Sequence, residues 1–189
     1  MPWLRRTAWL LALLLGGGLA GSLPRTVYLP HIPQVWQTYD NCGPASLSEV
    51  LAYYGITRSQ GQIQALLRPT GGYMSDLVIP WYVQRFGLQA TIFRGGTIAE
   101  LERVLALGIP VIVLQWLDQP GQVAHFRVVR GYQQVQRRIW VSDPMFGNAA
   151  YLSYHNFLRL WTVSDDEFIP VYPPAWSGRL AGALGLKNS

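Results

Sequence analysis

The hydrophobic period of this chain changes near residue 108, and this change restricts the fold more than any other feature of the sequence. Before it, apolar residues recur at the spacing of an amphipathic helix, as in the stripe Leu47, Val50, Leu51 and Tyr54. After it, the chain has the shorter period of β-strands at 110–116, 123–132 and 137–143. Helices followed by such strands predict an α+β fold, with N-terminal helices packed on an antiparallel sheet.

Residues at the helix ends set further boundaries. The first helix is predicted at about 43–54, with Asp40 or Asn41 as its N-cap. Thr97 and Glu100 have the spacing of a capping box at the start of a later helix. The remaining predicted elements are short helices at 59–67, 76–86 and 153–161, strands at 88–93 and 167–172, an extended segment at 26–37 and a C-terminal tail at 173–189.

The first residues, MPWLRRTAWLLALLLGGGLAGS, have the layout of a secretory signal: two arginines, an apolar run and then small residues. Cleavage is predicted after Ala20. The competing interpretation is an uncleaved membrane anchor, but the run is short for a bilayer span and is diluted by glycines. We therefore expect residues 1–20 to be a signal peptide or N-terminal membrane anchor, and the protein to be extracellular, periplasmic or at the cell surface.

Length and composition limit the possible organisation of the remaining chain. A chain of 189 residues has room for one ordinary domain, predicted at 25–172. The net charge of +5 is modest and the basic residues are scattered, so no nucleic-acid partner is predicted. With one cysteine and no paired histidines, the sequence predicts neither a metal site nor a cofactor.

Cys42 is the only cysteine, and it stands at the start of the first predicted helix. Small exported domains usually pair their cysteines, so a single one is a buried small residue, an intermolecular link or a free reactive thiol. A helix N-terminus lowers the pKa of a thiol by about one unit, which leaves most of it protonated at neutral pH. A catalytic Cys42 therefore needs an imidazolium partner.

The chain has three histidines, and His125 is the candidate partner. A hairpin centred on Gln134 would place Asp143 directly across from His125, close enough to orient the imidazole. A slip of one residue would turn Asp143 to the other face, so the spacing permits a Cys–His–Asp set without requiring it. His31 and His155 are predicted to be structural or solvated.

An oxyanion hole would need hydrogen-bond donors close to the thiol. The backbone N–H of Cys42 is one candidate, because the first amides of a helix lack internal partners. Gln37 lies five residues before the thiol and offers a side-chain amide as the second donor.

Three segments, QTYDNCGPASL, HFRVVRGY and VSDP, resemble the C39-like peptidases. This is cysteine peptidase family thirty-nine, which is papain-like and related to the double-glycine leader peptidases of bacteriocin exporters. The resemblance covers about residues 27–172 and implies a papain-like cysteine peptidase fold. It also implies individual roles: Cys42 as nucleophile, His125 as general base and then acid, Asp143 as the residue that orients it, and Gln37 as oxyanion-hole donor.

The activity implied by this resemblance is cleavage of a peptide or isopeptide bond in a peptide or protein substrate, through a thioester acyl-enzyme. Transporter-fused members carry membrane and ATPase domains and work on the cytoplasmic side. The sequence shows neither kind of domain and is expected to begin with an export signal, which puts a double-glycine leader substrate in doubt. Two alternatives stay open: an acyltransferase that uses the same residues, and an inactive papain-like module that binds peptides at the cell surface.

Overall fold

A computed structural model describes residues 22–148 and 150–186. The predicted signal peptide or membrane anchor at 1–20 lies outside these residues and stays a prediction. Within the described ranges, no helix combines the length and the apolar character needed to cross a bilayer.

Helices occupy the first half of the chain and return near its end. Their bounds are α1 Cys42–Tyr53, α2 Gln60–Leu67, α3 Val78–Gln84, α4 Ile98–Ala106, α5 Tyr154–Leu160 and α6 Ser177–Leu184. The predicted capping box is confirmed: Glu100 N–H donates to the Thr97 hydroxyl at 3.2 Å, and Thr97 N–H donates to the Glu100 carboxylate at 2.9 Å. Because both donors would otherwise lack partners, the box fixes where α4 begins.

Antiparallel strands form the other layer. Their bounds are β1 Thr26–Tyr28, β2 Gln89–Ala90, β3 Val111–Trp116, β4 Ala124–Gln133, β5 Arg138–Ser142, β6 Tyr151–Ser153 and β7 Phe168–Tyr172. The spatial order is β2-β7-β3-β4-β5-β6, and β1 pairs with the far end of β4. Strand β4 is therefore central in the sheet: β3 pairs with its first part, at 124–129, and β5 with its second part, at 128–133.

Helix α1 packs directly on β4 and carries the core of the molecule. Its predicted apolar stripe is confirmed at Leu47, Val50 and Leu51, which are completely buried. The α+β prediction is confirmed as well, since helices cover an antiparallel sheet. This packing brings the first turn of α1 against the sheet.

The hairpin of β4 and β5 has a different register from the one predicted. Val128 lies opposite Ser142, so continuing the ladder places Asp143 two residues away from the position directly across from His125. The prediction of direct opposition was therefore wrong, and His125 pairs instead with Gln115 of β3. Because strand side chains alternate with a period of two, this even shift keeps Asp143 on the face of His125.

The predicted C-terminal tail at 173–189 is largely ordered. A 3₁₀ turn at Pro174–Trp176 leads into α6, which packs against α4 and buries Leu180. Gly185 ends the helix with a φ of +68°, a conformation that glycine adopts without a steric penalty. The sequence SGRLAGAL did not predict this helix, because its two glycines have a low helix propensity. The packing of Leu180 in the core outweighs that low propensity.

Candidate active site

Cys42 is the first residue of α1 and lies against β4, with 7% of its surface exposed. Asn41 is the N-cap residue, as predicted, but its side chain does not cap the helix. Instead, the Asn41 amide donates to the Thr38 hydroxyl at 2.6 Å and to Gln64 Oε1 at 2.7 Å. The first amides of α1 are thereby left without a side-chain acceptor, and the N–H of Gly43 lies close enough to the Cys42 sulfur to lower the pKa of the thiol.

His125 lies on β4, is almost fully buried, and is fixed from behind by Asp143. The distance between His125 Nε2 and Asp143 Oδ1 is 2.9 Å. This contact occupies Nε2, so Nδ1 is the ring nitrogen left to interact with Cys42, which lies close enough to raise the pKa of His125. The structure thus brings together three of the four predicted site residues, in the order Cys42, His125, Asp143.

The Cys42–His125 contact favours charge separation. Burial opposes ionisation of the thiol, but the hydrogen bond and positive charge of His125, with the backbone N–H groups of Phe126 and Gly43, lower the pKa of Cys42 below its usual value. Burial likewise opposes a charged imidazole, and the hydrogen bonds to Asp143 and Cys42 outweigh it, so the pKa of His125 is raised. Shifts in these directions favour a thiolate beside an imidazolium.

The Asp143 carboxylate accepts four hydrogen bonds. Besides His125, its Oδ1 accepts the backbone N–H groups of Met145 at 2.8 Å and Phe146 at 3.2 Å. Its Oδ2 accepts Arg127 Nε at 2.6 Å. Although burial raises the pKa of Asp143, the hydrogen bond from His125 and the charge of Arg127 hold it well below its usual range. Asp143 therefore stays ionised.

Arg127 was not predicted as part of this site. Its guanidinium is buried, and it also donates to the carbonyl oxygens of Leu117 at 2.6 Å and Trp116 at 3.1 Å. These bonds compensate the buried charge and hold the arginine behind Asp143. A signal was present in the sequence: residues two apart on a strand share a face, so Arg127 lies on the same side of β4 as His125.

Gln37 lies on the segment that precedes α1, and its backbone is held next to Asp143. The Gln37 N–H donates to the carbonyl oxygen of Pro144 at 2.9 Å, while its side-chain Oε1 is buried without a partner among the described residues. Residues 36–40, together with Pro144 and Met145, line a cavity of about 410 Å³ at this junction. A pocket therefore opens where the Gln37 segment meets the turn after Asp143.

The two other histidines take no part in this arrangement. His31 and His155 are both exposed, and neither makes a side-chain hydrogen bond with a described residue of the site. Their prediction as structural or solvated residues agrees with this placement.

Glu49 is a second buried group that sequence reasoning missed. It follows Cys42 on α1 by about two helical turns and is completely buried. Burial raises the pKa of Glu49 to about 7, and the Val35 N–H that donates to its Oε1 at 2.8 Å compensates only in part. The helix that begins with Cys42 therefore also carries a buried carboxyl whose charge changes near neutral pH.

Comparison with known proteins decides the family. The chain matches the Peptidase_C39 like family over residues 27–165. The chain belongs to this family. The match includes Gln37, Cys42, His125 and Asp143, and no curated protein matches the sequence of this C39-like chain.

Solved structures similar to this C39-like chain share its fold. A protein described as a C39-like peptidase from Bacillus anthracis is 17% identical with a TM-score of 0.63, over 77% of this chain and 96% of the other. The peptidase domain of Streptococcus ComA, a bifunctional ABC transporter involved in quorum sensing, is 22% identical with a TM-score of 0.61, over 76% and 99%. A double glycine motif protease from an AMS/PCAT transporter, solved with the leader peptide, is 23% identical with a TM-score of 0.58, over 75% and 91%. The predicted papain-like fold is confirmed.

The first prediction concerns the buried arginine of this C39-like site. Arg127→Met is expected to lower the free energy of unfolding by about 3 kcal/mol, because it removes the buried guanidinium paired with Asp143 and leaves His125 as the only opposite charge beside that carboxylate among the described residues. Urea unfolding at pH 7 with a reducing agent measures the change. Arg159→Met is the control, since Arg159 is exposed and among the described residues donates only to the carbonyl oxygen of Asp118, so it should cost less than about 0.5 kcal/mol. Equal stability of the two variants would contradict the prediction.

The second prediction concerns the stability of the protein as a function of pH. With its pKa raised from 4.5 to about 7, folded Glu49 keeps a proton that the unfolded chain has already released, so stability falls as pH rises through this range. Glu49→Gln does not titrate. From pH 5 to pH 8, the free energy of unfolding of Glu49→Gln should therefore increase by about 2.5 kcal/mol relative to that of the wild type. Urea unfolding of both proteins at the two pH values tests this, and a constant difference would contradict it.

Proposed function

We propose that this protein is an exported cysteine peptidase that hydrolyses a peptide or isopeptide bond through a thioester acyl-enzyme. The single observation that carries the proposal is the buried series Cys42–His125–Asp143, in which the pKa values of thiol and imidazole are shifted toward the ion pair. Idle buried cysteines do not need such a partner, whereas a nucleophilic thiol does. Membership of the C39-like family supports the same reaction class.

In the proposed reaction, His125 gives up a proton in the first half and takes one back in the second. The Cys42 thiolate attacks the carbonyl carbon, and the C=O electron pair moves onto oxygen. His125 then gives its proton to the leaving nitrogen, the C–N bond breaks, and an amine departs from the thioester. In the second half, His125 takes a proton from water as the water oxygen attacks the thioester, and the carboxylic acid is released with the thiolate restored. Asp143 keeps the ring oriented and stabilises its charge throughout.

The oxyanion formed in both halves needs donors beside Cys42. We assign this role to the backbone N–H of Cys42 and the side-chain amide of Gln37. The Gln37 side-chain amide is available for it, since Nε2, the donor atom, makes no hydrogen bond with a described residue, and the Gln37 backbone is tied to Pro144. A donor that is anchored before substrate arrives costs no reorganisation during the reaction.

The cavity beside Gln37 is the place we assign to the substrate chain. It lies between the segment before α1 and the turn after Asp143, and the exposed aromatic side chain of Trp36 forms part of its wall. Apolar walls of this kind suit a side chain of a peptide. The likeness to transporter peptidase domains concerns the fold, so it gives no reason to assign a double-glycine leader to this protein.

The third prediction tests whether Cys42 is activated. Because the chain has one cysteine, alkylation by iodoacetamide reports on Cys42 alone. The rate should keep more than about a third of its pH 8 value at pH 6, because His125 maintains the thiolate. In His125→Ala the rate should fall by about tenfold for each pH unit below the pKa of an ordinary thiol. His155→Ala is the matched control and should behave as the wild type.

Hydrolysis is tested in the same preparations by mass spectrometry of a mixed peptide library. Cleavage by the wild type, absent in Cys42→Ala, supports the peptidase. An activated thiol that forms a thioester but transfers it to added amines instead of water would favour the acyltransferase. A wild-type thiol that is alkylated with the steep pH dependence of His125→Ala would overturn the proposal and favour the peptide-binding module.

The fourth prediction concerns export. Expressed with its full N-terminus in a bacterium, the protein should be recovered outside the cytoplasm, and its mature N-terminus should follow Ala20 if the segment is cleaved. Intact mass of the exported protein, compared with a variant lacking residues 1–20, measures this. Retention of the full-length chain in the cytoplasm would contradict the assignment, whereas recovery of the uncleaved chain in the membrane fraction would identify the segment as an anchor.

A further inference from the structure

The carboxyl of Glu49 lies where three parts of the candidate active site meet. The residue is on α1, the helix that begins with Cys42, and its side chain is completely buried. Oε1 accepts the backbone N–H of Val35 at 2.8 Å, while Oε2 has no hydrogen-bond partner among the described residues. Acidic side chains are almost never fully buried unless they are paired, so this position needs a specific reason.

The bond to Val35 connects α1 with the segment that carries Gln37. Val35 precedes Gln37 by two residues, and between them the chain has no regular secondary structure to fix it. Without Glu49, the N–H of the half-buried Val35 would lose its acceptor. The helix that presents the thiol therefore also anchors the segment that presents the proposed oxyanion donor.

The same carboxyl faces the end of β5. The Ser142 hydroxyl, which donates to Gln34 Oε1 at 3.3 Å, lies close enough to Glu49 to favour its charged form. Gln34 in turn donates from Nε2 to the carbonyl oxygen of Asp143 at 3.0 Å. Glu49 thus ties α1 to Val35, and the neighbouring residue Gln34 ties the same segment to Ser142 and Asp143.

Two charged groups face Glu49 from the elements packed against it. Arg130 of β4 favours its ionised form, and Asp143 beyond the end of β5 disfavours it. The Arg130 guanidinium donates to the carbonyl oxygens of Leu29 at 3.0 Å and Pro30 at 3.3 Å, so it holds the beginning of the same segment. The segment itself carries His31 and Tyr39, which are exposed, and Asp40, which is half-buried.

We propose that Glu49 is a positioning residue for the oxyanion hole: its buried carboxyl holds the Gln37 segment on α1, so that the Gln37 amide and the Cys42 thiol keep a fixed separation. This inference rests on the proposed function. An apolar side chain of similar size would fill the space but leave the Val35 N–H unpaired, and the segment would move to find another acceptor. Because oxyanion stabilisation depends on donor position, a small displacement is enough to slow acylation.

Two small reagents separate this role from activation of the thiol. p-Nitrophenyl acetate acylates Cys42: sulfur attacks the acetyl carbon, an oxyanion forms, the C–O bond breaks and nitrophenolate leaves. Iodoacetamide alkylates the same sulfur by displacement of iodide from a saturated carbon, and no oxyanion forms. In Glu49→Leu we expect acylation to slow by about tenfold or more and alkylation by less than about threefold. Glu49→Gln, whose side-chain carbonyl still accepts from Val35, should restore acylation to within about threefold of the wild type.

Glu102→Leu is the matched control. Glu102 is also a buried carboxyl, which accepts Gln134 Nε2 at 2.7 Å and the Tyr154 hydroxyl, and it lies on α4 at the turn end of the β4–β5 hairpin. Its removal should lower the melting temperature comparably but leave acylation within about twofold. If Glu49→Leu does not fold, Val35→Pro takes its place, because proline deletes the N–H and leaves the carboxyl.

The outcomes distinguish the positioning role of Glu49 from the proposed peptidase function. If the wild type releases nitrophenolate and Glu49→Leu or Val35→Pro does so at the rate of Glu102→Leu, the positioning role is overturned and the peptidase stands. If Glu49→Leu slows acylation and alkylation equally, Glu49 acts on the thiol and the inference is again overturned. If wild-type Cys42 neither releases nitrophenolate nor shows the flat pH dependence of alkylation, the proposed function itself is wrong.

Discussion

The buried carboxylate of Asp143 is the group on which the arrangement of the site depends. Removing a carboxylate from water costs several kcal/mol unless donors replace the lost hydration. Here the donors are His125 Nε2 at 2.9 Å, Arg127 Nε at 2.6 Å and the N–H groups of Met145 and Phe146. Two of them come from β4 and two from the turn after β5, so satisfying one charge joins two strands and fixes the imidazole.

Helix α1 supplies Cys42 to the site that Asp143 organises. It can do so because the helix is unusually well buried. Every residue from Cys42 to Leu51 is buried, so the helix is enclosed all round instead of being half exposed. Its apolar stripe packs in the core, while Cys42 and Glu49 lie on polar positions that point into the interior. A surface helix would expose such groups to water, which would weaken both the thiolate–imidazolium pair and the bond to Val35.

Sequence reasoning recovered the parts of this arrangement that depend on local pattern. The α1 stripe and the Thr97–Glu100 box follow from helix geometry alone, and the contact of His125 with Asp143 survived a wrong register because the shift was even. Arg127 and Glu49 were missed because their significance comes from partners distant in sequence: Leu117, Trp116 and Val35 are backbone acceptors or donors that no side-chain pattern reveals. Helix α6 was missed for a related reason, since it depends on packing against α4.

The charges along the buried row alternate: Arg127 positive, Asp143 negative, His125 positive and Cys42 negative when the pair is ionised. Each charged group stabilises its neighbours in the row, and Arg127 also changes the pKa of His125. Its charge lowers the pKa of His125 while the Asp143 hydrogen bond raises it. A histidine held too strongly by a carboxylate would keep its proton and fail as a general acid, because proton transfer is fastest when the pKa lies near the working pH. For the proposed reaction this means that Arg127, by neutralising part of Asp143, would let a carboxylate orient the ring without preventing the ring from releasing its proton to a leaving group.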